Sequence, residues 1–313
     1  DMTPDQMLTY SVISGGAVNI AAQPDYVTSP NVGGHLAGQA AVVIGAFTTV
    51  NDIFAGAAVT TGASSRVKQI HAGAAAGVGA NAYAHDVDAG AAVVVGAGGA
   101  VGDIIAGAAI TLGAGATYYS TPIDAVVTEG AGSMDVSPEN GGYTDDGVIV
   151  IAADMNAAME AINAKVVDNP VDVNEVETYT DLSGLTIGVE GGETTVYFSA
   201  ITLQADSTLY VEGNVTVITS ESMTVGAGAN IELVNGATVT WILGGSLNLG
   251  AGSKFSGETY VNGAVNGATS DVACGNLYAT GAVSRRTIGH LCAGGASGGY
   301  TPKWHHVGSP AQI

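Results

Sequence analysis

Short polar side chains recur at equivalent positions of the chain, where their hydroxyl and amide groups could meet water or a ligand in a regular row. Ser222 and Thr224 precede one Gly-Ala step, and Ser246 and Asn248 precede another in the same pattern. These groups hydrogen-bond without titrating near neutral pH, so they suit binding better than acid–base catalysis. The candidate binding residues are Thr60, Thr111, Ser222, Thr224, Thr238, Thr240, Ser246 and Asn248.

Other patterns that could carry chemistry are weaker. His71, His85 and the pair His305-His306 lack partners at zinc-ligand spacing. The acidic pairs in Asp86-Val87-Asp88 and Asp145-Asp146 lack the glycine-rich repeat of calcium-binding β-rolls. We therefore predict no metal, no cofactor and no catalytic residue. A purely structural role for the serines and threonines stays open, because both are common on the solvent faces of strands.

The elements that would position the candidate residues repeat every seventeen residues near the N-terminal end. Ala55-Gly56-Ala57-Ala58 recurs without a slip in spacing, and a weaker copy, Gly38-Gln39-Ala40-Ala41, lies one period upstream. The further copies begin at Ala72, Ala89 and Ala106. A period this short does not fit a helical hairpin and is typical of one coil of a β-solenoid.

Aligning the copies separates inward from outward positions. The columns through Val50, Ile53 and Val59 are apolar, which predicts that they point into the coil. The constant alanines at Ala55 and Ala63 should keep the interior narrow. The columns through Ala58 and Thr60 should point outward, and they are small and nearly uncharged. Exposed strands normally carry charge, so this face is unusual.

A helix and a second set of strands follow the repeats. An alanine-rich segment with apolar residues at helical spacing predicts a helix over 147–168, with Thr144 or Asp145 as its N-cap and an end before Pro170. Strand-forming residues and Gly-Ala steps return after it. The predicted fold class is mainly β: a right-handed, discontinuous β-solenoid with one long α-helix packed alongside the coils.

The predicted organisation is one β-solenoid domain over residues 1–313. Its segments are regular 17-residue coils over 33–117, an irregular connection or cap over 118–146, the helix over 147–168, C-terminal coils over 180–292 and a tail over 293–313.

The charge balance limits the partners. The net charge is −21 with only 7 lysines and arginines, which argues against nucleic acid and anionic membrane surfaces. The basic pair Arg285-Arg286 is isolated, and we expect it to be solvated. No uninterrupted apolar stretch is long enough to span a membrane. We predict no nucleic-acid or membrane partner.

Two features of the sequence bear on the cellular compartment of the protein: its first residues and its two cysteines. Asp1 is not followed by a basic and then apolar leader, so we expect a secreted protein whose signal peptide has been removed. Cys274 and Cys292 lie about one coil apart, close enough to form a disulfide on adjacent coils. A disulfide would fit an oxidising compartment. Two free buried thiols are the alternative.

The layout resembles the microbial ice-binding (antifreeze) proteins, a family of β-solenoid proteins secreted by polar bacteria and fungi. The likeness covers residues 8–32 and 145–292 and is most specific in the second part. The matching segments are Leu8–Asn19, Asp181–Ile187, Thr208–Asn214, Ile231–Ala237 and Asn235–Glu258. The regular coils over 33–117 depart from the family, whose members have fewer and less regular coils there.

The resemblance implies adsorption to ice, with thermal hysteresis and inhibition of ice recrystallisation, by a monomer from a psychrophilic host. A level row of small hydroxyl and methyl groups could order water into an ice-like array, whereas charges would disturb it. Two alternatives are a cell-surface adhesin or carbohydrate-binding solenoid, and a β-helix polysaccharide lyase or hydrolase. Sugar binding usually needs exposed aromatic residues and hydrolysis needs clustered carboxylates, and both are scarce on the repeat face.

Overall fold

The structure, a computed structural model, describes residues 4–23, 34–120, 126–135, 154–267 and 271–286. The chain forms two compact units. Unit 1 comprises Asp1–Ala21 and Asp154–Gly298, and unit 2 comprises Ala22–Ala153 and Gly299–Ile313. Each unit consists of parallel strands stacked as coils, which confirms the predicted mainly-β solenoid fold.

The secondary structure follows the chain from one unit to the other and back. Unit 1 begins with α1 (Pro4–Met7), β1 (Tyr10–Ser14) and β2 (Val18–Ile20). Unit 2 contains β3 (His35–Gly38), β4 (Val42–Ile44), β5 (Thr49–Ala55), β6 (Val59–Thr61), β7 (Arg66–Ala72), β8 (Ala76–Val78), β9 (Tyr83–Ala89), β10 (Val93–Val95), β11 (Ala100–Ala106), β12 (Ile110–Leu112), β13 (Thr117–Ser120), β14 (Val127–Glu129) and β15 (Met134–Asp135).

The remainder belongs to unit 1. It contains α2 (Met155–Val167), β16 (Thr186–Phe198), β17 (Ile201–Leu203), β18 (Thr208–Thr219), β19 (Met223–Val225), β20 (Asn230–Leu243), β21 (Leu247–Leu249), β22 (Lys254–Ser256), β23 (Glu258–Val261), β24 (Val265–Gly267), β25 (Asp271–Cys274), β26 (Leu277–Ala279) and β27 (Val283–Arg285).

In unit 2 the seventeen-residue period sets the strand register. Each complete coil has a strand of 7 residues and one of 3 residues, as in β5 and β6. Ile53 lies opposite Ile70 and Val93 opposite Ile110, one period apart in each case. The columns expected to point inward are buried. The interpretation of the repeat as a coil is confirmed.

Two details of unit 2 differ from the sequence interpretation. Ala63 is exposed at a corner instead of narrowing the interior, because it lies beyond the short strand where the backbone turns. The coils also extend past Thr117 into the stretch expected to be irregular, since Ile110 pairs with Val127 and Thr117 with Met134.

Glycine forms the corners of unit 2 because neighbouring coils approach closely there. A Cβ atom added to Gly96 would lie 2.6 Å from the backbone nitrogen of Ala80, and one added to Gly62 would lie 2.3 Å from that of Ala46. No side chain fits at these positions. The corner that follows each of these short strands, β6 and β10, therefore presents bare backbone.

A row of polar side chains runs along the long strands of unit 2. His35 Nδ1 lies 3.2 Å from Asp52 Oδ2, and Gln69 Nε2 donates to Asp86 Oδ2 at 3.3 Å. Burial raises the pKa of Asp52 to about 6; Lys68 opposes this rise and Asp86 adds to it. The long strands thus hold partly buried charges.

Unit 1 is assembled from the two ends of its sequence. β1 pairs with β26, and β2 pairs with β27, so the N-terminal strands join the last C-terminal ones. Each of the long strands β16 and β18 bends at an irregularity in its pairing, between Gly188 and Glu193 and between Glu212 and Asn214. Because its strands come from two separate segments of the sequence, unit 1 is the expected discontinuous solenoid.

The core of unit 1 contains the largest buried side chains. Trp241 is fully buried, and its indole N–H donates to the carbonyl of Ser256 at 2.9 Å. Arg285 is also fully buried, so the expectation that it is solvated was wrong. Strand alternation turns it inward on the same side as Val283, and the residue opposite it in β24 is Gly267. Arg286 is exposed as expected.

Helix α2 packs against β20 and β23 of unit 1 through Met155, Ala158 and Ile162. Its N-cap is Asp154, whose carboxylate accepts a hydrogen bond from the amide of Ala157 at 3.0 Å. The helix therefore begins later than the sequence suggests, because Asp154 caps it. The expected caps Thr144 and Asp145 lie outside the described residues. The helix ends at Val167, before Pro170 as predicted.

Two further expectations concern residues that lie outside the described ranges. The proposed partner of Cys274, Cys292, lies outside them, as do His305 and His306. Among the helices of the described ranges, none is long and apolar enough to cross a membrane.

Candidate functional site

Six three-residue strands of unit 1 lie side by side in one parallel sheet. They are hydrogen-bonded in the order β17, β19, β21, β24, β27 and β2. In every strand the first and third residues are buried and the middle residue points outward. This alternation follows from the period of two along a strand. Each three-residue strand therefore has one outward side chain.

The middle residues form one row of short polar side chains, one directly opposite the next. The row is Thr202, Thr224, Asn248, Asn266, Ser284 and Asn19. A second row lies just before each strand: Ala200, Ser222, Ser246, Ala264, Ala282 and Ala17. We call these twelve residues the short-strand face of unit 1. None of them carries a charge.

The polar groups near the middle of this face are bonded to one another. Ser222 Oγ lies 3.1 Å from Ser246 Oγ, which accepts from Asn248 Nδ2 at 3.3 Å. The amide oxygen of Asn248 accepts from Asn266 Nδ2 at 2.9 Å. This chain fixes the side-chain orientations, so the groups left for solvent have defined positions.

The spacing of the rows is regular because the sheet is parallel and in register. Neighbouring coils are about 4.8 Å apart, so six strands extend over roughly 24 Å. Glycine corners follow two of the strands, β19 and β21: a Cβ atom on Gly226 would lie 2.5 Å from the nitrogen of Ala205, and one on Gly250 would lie 2.4 Å from that of Ala227. The face is therefore level and periodic.

The predicted site residues divide among three places. Ser222, Thr224, Ser246 and Asn248 lie together on the short-strand face of unit 1. Thr60 and Thr111 occupy the equivalent outward position in β6 and β12 of unit 2, and both are exposed.

The threonine pair of β20 lies on a different face. Thr238 donates to Asn214 Oδ1 at 2.8 Å, and its row continues to Glu193. The row of Thr240 ends at Glu258, next to the strands that α2 covers. These two threonines are thus not part of the level face, and both rows contain a carboxylate.

Sequence reasoning missed three members of the middle row, Thr202, Asn266 and Ser284, and left Asn19 unassigned. The coils of unit 1 vary in length, so a fixed period does not align them. A local signal does exist: Gly16-Ala17-Val18-Asn19, Gly263-Ala264-Val265-Asn266 and Gly281-Ala282-Val283-Ser284 share one pattern. Each of these segments enters a short strand.

Unit 1 also has a cavity of about 350 Å³ between α2 and the coils, bordered by Lys165, Glu258, Tyr260 and Tyr278. The ammonium of Lys165 lies 5.4 Å from the centre of the Tyr260 ring, and the Tyr260 hydroxyl donates to Glu258 Oε1 at 2.6 Å. Burial, reinforced by Glu258, raises the pKa of Tyr260 above its usual range. Glu258 is the one carboxylate that borders the cavity, whereas glycoside hydrolysis uses two.

Histidines and carboxylates pair in unit 2 without gathering into a metal site. His71 Nδ1 lies 3.1 Å from Asp88 Oδ2, and His85 Nδ1 lies 3.1 Å from Asp86 Oδ2. His85 is buried. Within the described ranges there is no group of three or more such ligands placed for a metal ion.

Comparison with known proteins gives a family match. A protein-family model described as ice-binding-like matches residues 125–288. Among solved structures, the ice-binding protein of the Antarctic ascomycete Antarctomyces psychrotrophicus is similar, with 18% identity and a TM-score of 0.30 over 70% of this chain and 94% of that one. No curated protein matches the sequence.

Proposed function

Because the chain belongs to the ice-binding-like family, we propose that it adsorbs to ice through the short-strand face of unit 1. The observation that carries this assignment is the row of six short polar residues, aligned one per coil. The family match covers this face apart from β2. Serine, threonine or asparagine occupies each middle position of the six strands, and no charged residue does.

The chemistry of the face suits water in a lattice. Charges would orient water around themselves, whereas hydroxyl, amide and methyl groups on a level surface let water bond mainly to other water. The hydrogen-bonded chain from Ser222 to Asn266 holds its donors and acceptors in place. Little side-chain entropy is then lost when the face meets a solid surface.

Adsorption of this kind has consequences for crystal growth. Anchored molecules force ice to grow as curved fronts between them, which lowers the freezing point and slows recrystallisation. We propose thermal hysteresis and ice recrystallisation inhibition as the activities of the protein. A secreted monomer would act this way, because the ice lies outside the cell.

A catalytic or carbohydrate-binding role has less support. The outward residues of the face include no aromatic ring and no carboxylate, and Trp241, the one tryptophan among the described residues, is buried. A sugar-binding site usually stacks a ring on an exposed aromatic side chain, and hydrolysis needs paired carboxylates. Ice adsorption needs neither.

The direct test is a freezing-point measurement on the purified chain. We expect thermal hysteresis and faceting of a single ice crystal at micromolar protein. The absence of both, with binding to an insoluble polysaccharide instead, would contradict the proposal and favour the carbohydrate-binding alternative.

A further inference from the structure

The charged residues of the unit 2 coils lie mainly on the long strands, and the exception on the described short strands is Glu129 at the end of β14. The long strands carry Arg66, Lys68, Asp86, Asp88 and Asp103. The short strands carry no charge at their outward middle positions, which are Val43, Thr60, Gly77, Val94, Thr111 and Thr128. The residues just before them are Ala41, Ala58, Ala75, Ala92, Ala109 and Val126. These twelve residues are the short-strand face of unit 2.

This face exposes apolar groups in the same arrangement as the face of unit 1. Val94 is 50% exposed, and Val43 is 39% exposed. In β4, β6, β8, β10 and β12 the middle residue lies between two buried ones, and each is opposite the equivalent residue of the next coil. A β-face that exposes valine without charge invites contact with a partner.

The repeat indicates what kind of partner fits. Six strands present identical steps of about 4.8 Å, and the glycine corners keep other side chains from projecting. Protein interfaces depend on aromatic or arginine anchors in pockets, and this face has neither. A periodic, level surface of alanine, valine and threonine matches a partner that is itself periodic.

We propose that the short-strand face of unit 2 is a second ice-adsorbing surface, which rests on the proposed function of the chain. Residues 34–120 lie outside the family match, so family membership assigns them no role. The surface differs in chemistry from that of unit 1: its groups are mainly methyl groups, with hydroxyl groups on Thr60, Thr111 and Thr128.

One position of the face offers a gain-of-function test. Gly77 lies between Thr60 and Val94, and a Cβ atom there would have its closest contact at 3.9 Å. Gly77→Thr would complete the row without a clash. We expect thermal hysteresis to rise relative to the wild-type chain, whereas no increase in a folded variant would count against the proposal.

The loss-of-function test uses a matched pair. Val94→Lys puts a charge on the face, and Ile105→Lys puts one on the long-strand side of the same unit, where Ile105 is 59% exposed and opposite Asp88. We expect Val94→Lys to lower thermal hysteresis and Ile105→Lys to leave it unchanged. Equal activity of the two variants would overturn the inference.

A third variant separates this inference from the proposed function. Thr224→Lys should leave residual adsorption of fluorescently labelled protein to an ice hemisphere, and Thr224→Lys combined with Val94→Lys should abolish it. If Thr224→Lys alone removes all adsorption, the unit 2 inference fails while the proposed function stands. If the wild-type chain does not adsorb, both fail. A shift from dimer to monomer on Val94→Lys, measured by sedimentation without ice, would instead identify a second copy as the partner.

Discussion

Thr224 lies within the row of short polar residues, between Thr202 and Asn248. Its neighbours along the strand, Met223 and Val225, are buried and fix the direction of its side chain. A change of this residue therefore alters the surface without disturbing the core. At the scale of single residues, this separation makes the proposed contact testable.

We predict that Thr224→Tyr removes most of the thermal hysteresis, because a ring projecting from the level face holds ice away. Stability should change by no more than about 0.5 kcal/mol, as is usual for surface positions. Thr238→Tyr is the matched control on the other face. Freezing-point measurements that show loss with Thr238→Tyr and activity with Thr224→Tyr would move the contact to the long strands.

Asp52 gives a pH prediction. Its folded-state pKa of about 6 lies above the ordinary value of 3.8, because burial disfavours the charged form. Its contribution to stability is therefore fully present below about pH 4 and is lost as pH rises to about 6, a loss of about 3 kcal/mol.

Asp52→Asn should remove this part of the pH dependence. Hydrogen exchange of the β5 amides, measured from about pH 4 to about pH 7, should show less loss of protection in the variant than in the wild-type chain. His35 and Lys68 also face this group and remain in both proteins. Identical slopes for the two proteins would show that Asp52 does not titrate in this range.

Single residues were predictable from the sequence where a pattern repeats nearby. Thr224 and Asn248 share the same Gly-Ala context, so their common face could be inferred. Arg285 could not, because its burial depends on Gly267 in the neighbouring coil. A charged residue at an inward strand position is recognised only when the pairing is known.

At the scale of elements, the corners determine how the coils stack. Gly62, Gly79, Gly96 and Gly113 each face the backbone of the preceding coil at a distance that leaves no space for a side chain. The three-residue strands between corners are too short to be stable alone. Their order comes from close stacking on their neighbours.

We predict that Gly96→Ala destabilises unit 2 by about 1–3 kcal/mol, since its Cβ would overlap the backbone of Ala80. Gly77→Ala should be neutral or stabilising, because its closest contact is ordinary and alanine costs less entropy to order. Thermal unfolding of both variants is the measurement. Equal effects would show that the coils can shift apart.

The sequence predicted the elements of unit 2 better than those of unit 1. A constant period aligns every coil of unit 2, and it failed only at Ala63 and at the end of the repeats. In unit 1 the coils differ in length and contain irregular bends, so a fixed period aligns neither Thr202 nor Ser284, and only Ser284 has a local sequence pattern that could have placed it. The predicted start of α2 was too early. In the sequence alone, acidic residues upstream are as plausible an N-cap as Asp154, which caps the helix in the structure.

At the scale of the whole molecule, the charge is strongly unbalanced. The net charge of −21 comes from 28 acidic and 7 basic residues. The outward rows of the two short-strand faces contain none of these charges, which therefore lie elsewhere. Repulsion among them opposes the folded state and is screened by salt.

We predict that raising the ionic strength from about 0.01 M to about 1 M increases the melting temperature, because the Debye length falls from about 30 Å to about 3 Å. Ice recrystallisation inhibition should persist in salt, since the proposed contact surface is uncharged. Calorimetry and a recrystallisation assay in matched buffers measure the two effects. Loss of inhibition on adding salt would point to a charged contact.

The pairing of β1 with β26 and of β2 with β27 has a consequence for synthesis on the ribosome. Strands of unit 2 pair with partners one period away and can assemble while the chain is still emerging. The pairing of β1 and β2 with β26 and β27 must wait for almost the entire polypeptide, tens of seconds at ordinary translation rates. Until then the edges of β1 and β2 that face those late strands lack their partners, and synthesis of the last coil supplies them.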